Sequence, residues 1–263
     1  MINSMQIALI KKDIRSVTEN KNLFIGLLSL PIVMAVVLPS IFMLVVGFIP
    51  VDSADFQKLL VILPGGMLGS DLRKSLLQLL INNMVPIFFL LIPVLTAMIM
   101  AASSFVGEKE KQTLETLLYC PLSLQQIFIA KVFASFVFSQ IVSLVSFVAM
   151  TLVVQTEIWF ITGSLMLLGL NWLVLLILVS PAISLVAITL IVRGSAKAKS
   201  VEESQQRSAF LILPIVVLAV GQFSGVVLVN VWLLLGIGVL CSIVGLILLR
   251  RSSASFHYER LLQ

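Results

Sequence analysis

Long apolar runs constrain the fold of this chain more than any other feature. A helix of about 20 apolar residues crosses the hydrocarbon layer of a bilayer. Only 11% of the residues are charged, against roughly a quarter in an ordinary soluble protein. Because lipid offers no partners to the backbone, we predict an all-α integral membrane protein with one transmembrane domain over residues 1–263. The apolar runs cover residues 23–49, 84–106, 128–154, 158–192, 209–229 and 231–249. The first lacks a small-residue cleavage site, so we expect it to remain as a span.

The fourth run, residues 158–192, is long enough for one crossing with an interfacial segment or for two tight crossings. Basic residues concentrate on the cytoplasmic side of membrane proteins. With one crossing, 14 of the 17 basic residues lie on one side, and only Lys58, Arg73 and Lys74 lie on the other. We therefore predict six spans with both termini cytoplasmic. The fourth span then covers 169–192, and residues 158–168 form an interfacial or re-entrant segment at the outer face.

Two segments outside the spans carry amphipathic patterns. Residues 1–21 are predicted to form a helix in the inner interface of the membrane, with its lysines near the headgroups. Its apolar residues at helical spacing are Ile7, Ile10, Ile14 and Val17. Residues 51–83 are predicted to be an extracellular loop holding two short amphipathic helices, the second beginning at Ser70 or Asp71.

The sequence lacks the residues that several kinds of chemistry require. No ionisable residue lies in the interior of a predicted span, which argues against an ion-coupled transporter. Lys131 is at the inner edge of the third span and is expected to extend towards the headgroups. The single histidine, His257, cannot build a metal site alone. Because no phosphate-binding loop motif occurs either, we predict a protein without enzymatic activity and without a cofactor of its own. The basic residues lie at the ends of the apolar runs, which indicates orientation in the membrane, so we predict no nucleic-acid partner.

Residues 107–127 form a charged segment between the second and third predicted spans. Residues 112–119 are predicted to form a short amphipathic helix that ends before Pro121. Ser123 and Gln126 have the spacing of a capping box, which predicts that a new helix starts there and continues into the third span. On physical grounds alone, the leucines of the short helix face either a protein partner or the headgroups.

This segment resembles the signature between the second and third spans of type-2 ATP-binding-cassette (ABC) transporter permeases. In that family it is the coupling helix, which docks into a cytoplasmic ATPase subunit that binds ATP and magnesium. The resemblance implies ATPase docking by Glu108, Glu110, Thr113, Leu114, Glu115, Leu117, Leu118 and Pro121. It also implies a second permease subunit, export as the direction of transport, and location in a prokaryotic plasma membrane. We call residues 107–127 the coupling segment.

An exporter of this kind needs a path for its cargo. Polar candidates within the spans are Thr96, Gln222 and Ser224, although such groups also form ordinary bonds between membrane helices. A path without charge suits amphipathic or hydrophobic cargo, such as peptides or lipid-like or drug-like molecules. The alternative function is a sensor or scaffold that docks an ATPase without transporting anything.

Overall fold

The computed structural model describes residues 4–49, 72–110, 122–195, 200–223 and 230–254, and all regular structure within them is helical. This confirms the predicted all-α class. The α-helices are Ser4–Glu19 (α1), Lys21–Phe48 (α2), Leu72–Leu79 (α3), Val85–Phe89 (α4), Leu91–Glu110 (α5), Leu124–Thr162 (α6), Leu170–Val174 (α7), Ser180–Ser195 (α8), Val201–Ser208 (α9), Leu213–Phe223 (α10) and Val231–Ala254 (α11). The π-helical segments Leu80–Met84 and Leu175–Val179 and the 3₁₀ turn Ala209–Ile212 connect neighbouring helices.

Six helical stretches in the described residues are long and apolar enough to cross a membrane, which confirms the predicted six spans. Spans one to six are Phe24–Phe48, Leu72–Glu110, Leu124–Thr162, Leu170–Gly194, Val201–Gln222 and Val231–Ser252. Each overlaps one predicted span. The predicted interfacial segment 158–168 differs in part, because residues up to Thr162 continue the helix of span three. The chain leaves the helix at Gly163, whose φ of 67° is the left-handed conformation that glycine adopts without strain.

Span two is the centre of the bundle. Its most apolar window is 78% buried, whereas the corresponding window of span six is only 17% buried. Span two packs against spans three and four, span one packs against span three, and span six packs against span four. The helix predicted to begin at Ser70 or Asp71 in the extracellular loop is α3, and its leucines join the core: Leu76 and Leu79 are buried, as is Leu80 at the start of the π segment.

The bundle has two ends. We call one the α1 end; it holds α1, the last turns of span two and the first turns of span three. The opposite or far end holds α3, the first π segment and residues 163–172. At the far end, Arg73 of α3 donates from Nη2 to the carbonyl oxygen of Ile49, 2.8 Å away, just beyond the end of α2.

Each π segment ends two residues before a proline, Pro86 in span two and Pro181 in span four. Proline has no backbone N–H, so Pro86 cannot donate to the carbonyl of Asn82. The side-chain amide of Asn171 donates to that carbonyl instead, at 2.8 Å. In the wide π turn, the N–H of Val85 donates to the carbonyl of Leu80 and not to that of Ile81. The indole N–H of Trp172 donates to the carbonyl of Ile81 instead, at 2.9 Å. Span four therefore satisfies the backbone groups that the irregular turn of span two leaves open.

Candidate functional site

The α1 end contains a buried ion cluster centred on Lys131, in the second turn of α6. The side chain of Lys131 is only 3% exposed, so it does not extend to the headgroups as predicted. Its Nζ lies 2.8 Å from Oε2 of Glu108 and 3.5 Å from Oδ2 of Asp13, forming ion pairs with both. It also donates to the backbone carbonyl of Ser104 at 2.6 Å. One ammonium group thus joins span three to span two and to α1.

The carboxylates of the cluster have further partners. Lys12 donates to Oε1 of Glu108 at 2.8 Å. The hydroxyl of Ser104 donates to Oδ2 of Asp13 at 2.7 Å. Two cations, Lys12 and Lys131, face two anions, Asp13 and Glu108, so the cluster is neutral when all four groups are ionised. Buried charges are tolerated when they are paired and hydrogen-bonded in this way.

Helix geometry explains how the sequence brings these groups together. Ser104 and Glu108 are four residues apart in α5 and therefore lie on one face, one turn from each other. In α1 the buried residues Gln6, Leu9, Asp13 and Val17 also share one face. Val17 of the predicted apolar stripe lies on this face, and Ile10 and Ile14 pack beside it, whereas Ile7 is 57% exposed. The polar Asp13 therefore faces spans two and three together with the apolar residues of the same face.

Glu110, at the end of α5, contacts a different element. Its Oε2 accepts a hydrogen bond from the backbone N–H of Val201 at 3.2 Å. Val201 is the first residue of α9, and a carboxylate at a helix N-terminus is favoured by the helix dipole. Ser200 caps the same helix, because its hydroxyl accepts from the N–H of Glu203. Span two is thus fastened at its last turn to both α1 and α9.

The predicted capping box is confirmed at the start of α6. The side chain of Ser123 accepts from the N–H of Gln126 at 3.3 Å, and the side chain of Gln126 accepts from the N–H of Ser123 at 3.0 Å. Helix α6 therefore begins at Leu124, within the last four residues of the coupling segment, and Lys131 follows two turns later. Glu108 and Lys131, paired with each other, lie on either side of residues 111–121.

The structure describes only two of the eight predicted docking residues. Glu108 and Glu110 are in the contacts described above. The remaining docking residues lie outside the described residues: Thr113, Leu114, Glu115, Leu117, Leu118 and Pro121.

The predicted path residues are placed differently from one another. Thr96 is fully buried, and its hydroxyl donates to the carbonyls of Ile92 and Pro93 in its own helix. Gln222, at the far end of span five, is also buried. Ser224 lies outside the described residues. A role for these three residues in a path stays a prediction.

Sequence reasoning missed Asp13, Lys12 and Ser104 as members of a site. The signal available was weak: a single aspartate, between Lys12 and Ile14, in a basic amphipathic segment. Periodicity identifies a helix face but does not identify the helix that packs against it. Within the described ranges, no group of three or more His, Cys, Asp or Glu residues could hold a metal ion.

Comparison with known families identifies the chain. A family model described as ABC-2 family transporter protein matches residues 66–201, more than half of the sequence. The chain belongs to the ABC-2 transporter family. It is therefore a membrane permease of an ABC transporter. No curated protein and no solved structure matches the chain.

The ABC-2 match covers the whole of spans two, three and four and the whole coupling segment. Glu108 and Lys131 lie within it, whereas Lys12 and Asp13 lie before it. The ion cluster thus joins the part of the chain that carries the family signature to a helix outside the matched range.

Proposed function

We propose that this chain is the permease subunit of an ABC exporter. It moves amphipathic or hydrophobic cargo outward, using ATP that a separate cytoplasmic ATPase subunit binds with magnesium and hydrolyses. The α1 end faces the cytoplasm, because the basic residues concentrate near the elements that meet there. The protein is a multi-pass component of a prokaryotic plasma membrane with both termini cytoplasmic.

The observation that carries this proposal is the Glu108–Lys131 ion pair at the base of the coupling segment. It joins α5, which leads into the segment, to α6, which follows it, with 2.8 Å between Oε2 of Glu108 and Nζ of Lys131. A force applied to residues 111–121 by a docked ATPase would therefore act on spans two and three together. Span two is the most buried span, so its displacement would change the packing of the whole bundle.

The polar groups inside the bundle support uncharged cargo. Gln140 of span three donates to the hydroxyl of Ser184 at 2.9 Å and accepts from Ser180 at 3.1 Å, both in span four. Such uncharged hydrogen-bonding groups suit a path for amphipathic molecules rather than for bare ions. Spans five and six are the least covered by this chain and offer a surface to lipid and to a second permease subunit.

The test is co-purification of the complex. The permease would be tagged, expressed with the ATPase encoded beside it, solubilised and purified. Leu117→Asp places a charge on the leucine face of the predicted coupling helix, where burial against a partner would leave the carboxylate unpaired. We expect the ATPase to be lost while the permease stays in the membrane.

Gln112→Asp is the matched control, because the helical pattern places residue 112 opposite Leu114, Leu117 and Leu118. It adds the same charge and should retain the ATPase. Equal retention by both variants would contradict docking through this face. Retention of the ATPase without any cargo-dependent transport would favour the scaffold alternative.

A further inference from the structure

We propose that Lys131 is a positioning residue that fastens α1 to the base of the coupling segment, so that α1 and span one move together with the segment during ATP hydrolysis. This inference rests on the proposed function, because it assigns a second element through which the docked ATPase drives the permease. It concerns Asp13, Lys131 and the helix that carries Asp13, none of which is a docking residue.

The first step is the arrangement of the charges. A direct pair between Lys131 and Glu108 would be enough to close the coupling segment at its base. The ammonium of Lys131 nevertheless has a second carboxylate, Asp13, within 3.5 Å. Ser104 donates a hydrogen bond of 2.7 Å to that carboxylate. Lys12, also in α1, forms an ion pair with Glu108 at 2.8 Å. Helix α1 is therefore bound to both helices that bracket residues 111–121.

The second step concerns the energy of the cluster. Asp13 and Lys131 are 5% and 3% exposed, so both have lost nearly all contact with solvent. The free-energy cost of moving both charges out of water offsets most of their mutual attraction. Well-packed apolar side chains would stabilise the same contact as well or better. Breaking the pair by removing one partner is costly, however, because the other charge stays buried and unpaired. The cluster thus fixes α1 in one position relative to spans two and three.

The third step is that α1 is held along its length. Near its start, the side-chain amide of Gln6 donates to the carbonyl of Gln126 at 3.2 Å. Leu9 belongs to a small apolar cluster with Ile127 and Ala130 of span three. Near its end, Val17 belongs to another cluster with residues of spans one, two and three: Leu27, Met100, Phe138 and Val142.

The fourth step is the connection from α1 to span one. Asn20 is the single residue between α1 and α2, and its carbonyl accepts from the N–H of Phe24 at 2.9 Å. So short a link leaves little freedom between the two helices. A displacement of α1 with the base of span three would be passed directly to span one.

The test separates coupling from folding by means of charge balance. Asp13→Asn alone leaves one excess positive charge in the cluster, and Lys131→Met alone leaves one excess negative charge. The double variant Asp13→Asn/Lys131→Met is neutral, because Lys12 and Glu108 remain as a pair. We expect both single variants to lower the thermal midpoint of the purified permease and the double variant to recover most of it.

The coupling readout is the permease-dependent ATPase activity, defined as the rate of the complex in liposomes minus the rate of the isolated ATPase subunit. We expect the double variant to bind the ATPase normally but to lose this activity by about tenfold, within the range typical of a coupling between two sites. The matched control is Arg15→Gln/Glu19→Gln, which removes an exposed ion pair of 2.7 Å from the same helix. It should retain the activity, since exposed ion pairs contribute little.

An engineered disulfide bond between α1 and span three provides the decisive part of the test. Cysteines at Leu9 and Ala130, in a background with Cys120 and Cys241 replaced by serine, would join α1 to span three after oxidation. We expect the disulfide to restore the activity of the Asp13→Asn/Lys131→Met variant to within about twofold of the parent, and reduction to abolish the rescue. A disulfide that inhibits the parent complex would overturn the proposal, as would wild-type activity in the unlocked double variant. Absence of an ATPase from the unmodified complex would instead be a failure of the proposed function.

Discussion

At the scale of single residues, Lys131 shows how much a side chain's role depends on contacts that are distant in sequence. A lysine near the end of a membrane span is expected to extend its ammonium towards the headgroups. Here Asp13 lies 118 positions before it in sequence, and Glu108 lies 23 positions before it. Both carboxylates are within 3.5 Å of its Nζ, so it remains buried. The same lysine side chain therefore serves as a junction between three helices.

Gly169 provides a residue-scale prediction at the far end of the bundle. Its backbone N–H donates to Oδ1 of Asn82 at 2.6 Å. A Cβ atom at this position would lie 2.9 Å from the same oxygen, closer than a carbon normally approaches. Gly169→Ala should therefore displace Asn82 and destabilise the permease by about 1–3 kcal/mol, as overpacking does. The measurement is the thermal midpoint of the purified protein in detergent.

Gly236→Ala is the control for this prediction. Gly236 is in span six, and a Cβ there would meet nothing within 4 Å. Its replacement should change stability by no more than about 0.5 kcal/mol, or raise it through the higher helix propensity of alanine. Asn82→Ala in combination with Gly169→Ala should cost less than the sum of the two single changes, because the clash is then absent. Simple additivity would show that the close contact with Asn82 does not determine the effect.

At the scale of elements, the sequence was sufficient wherever the signal was local. Apolar runs of membrane length predicted all six spans, and the spacing of Ser123 and Gln126 predicted the start of α6. The helical continuation of span three over residues 158–162 was not predicted, because the distribution of basic residues assigned 158–168 to an interfacial or re-entrant segment. The continuity of span three depends on tertiary contacts, among them the packing of the fully buried Ile158.

The candidate site was less accessible to prediction because its residues come from three separate elements. The family signature indicated Glu108 and Glu110 but gave no sign that Glu108 pairs with Lys131 and Lys12. The π turns were hidden for a similar reason. Pro86 signals a missing N–H in the sequence, but only the structure shows Asn171 donating to the carbonyl that this leaves open.

Helix α9 carries a prediction about topology. The distribution of basic residues predicts that the segment from Arg193 to Arg207 lies on the cytoplasmic side. Glu202, in the first turn of α9, is exposed. A cysteine at this position should resist a membrane-impermeant thiol reagent in intact cells and react once the cells are opened. The measurement is mass-tagging of the purified protein in a background with Cys120 and Cys241 replaced by serine.

Asp55→Cys in the predicted external loop serves as the comparison, since it should react in intact cells. Labelling of Glu202→Cys at the same rate as Asp55→Cys would place α9 outside the cell. Because α9 contacts Glu110 at the α1 end, the proposed direction of the α1 end would then be wrong.

At the scale of the whole molecule, the buried ion pairs of the described residues lie at the α1 end of the bundle and uncharged polar contacts lie within it. The ion cluster of Asp13, Glu108 and Lys131 is at the α1 end. Deeper in the bundle the described contacts between spans are those of serine, glutamine and asparagine side chains, such as Gln140 with Ser184. Glu108 is held between Lys12 and Lys131 at the base of the coupling segment, an arrangement suited to fixing helices in place. It does not form a chain of ionisable groups across the membrane, which a proton relay requires.

This distribution predicts the energy source of transport. Inverted membrane vesicles containing the permease and its ATPase should take up a hydrophobic cargo when ATP is supplied, and a protonophore that leaves ATP intact should not slow the uptake. A proton gradient imposed without ATP should drive no uptake, because the spans offer no path of ionisable groups. The matched control is a partner ATPase whose phosphate-binding lysine is replaced, which should abolish uptake while the permease remains assembled. Uptake driven by the gradient alone would show that the chain itself couples ion flow to transport, and the role of a passive permease moved by ATP hydrolysis in another subunit would then be untenable.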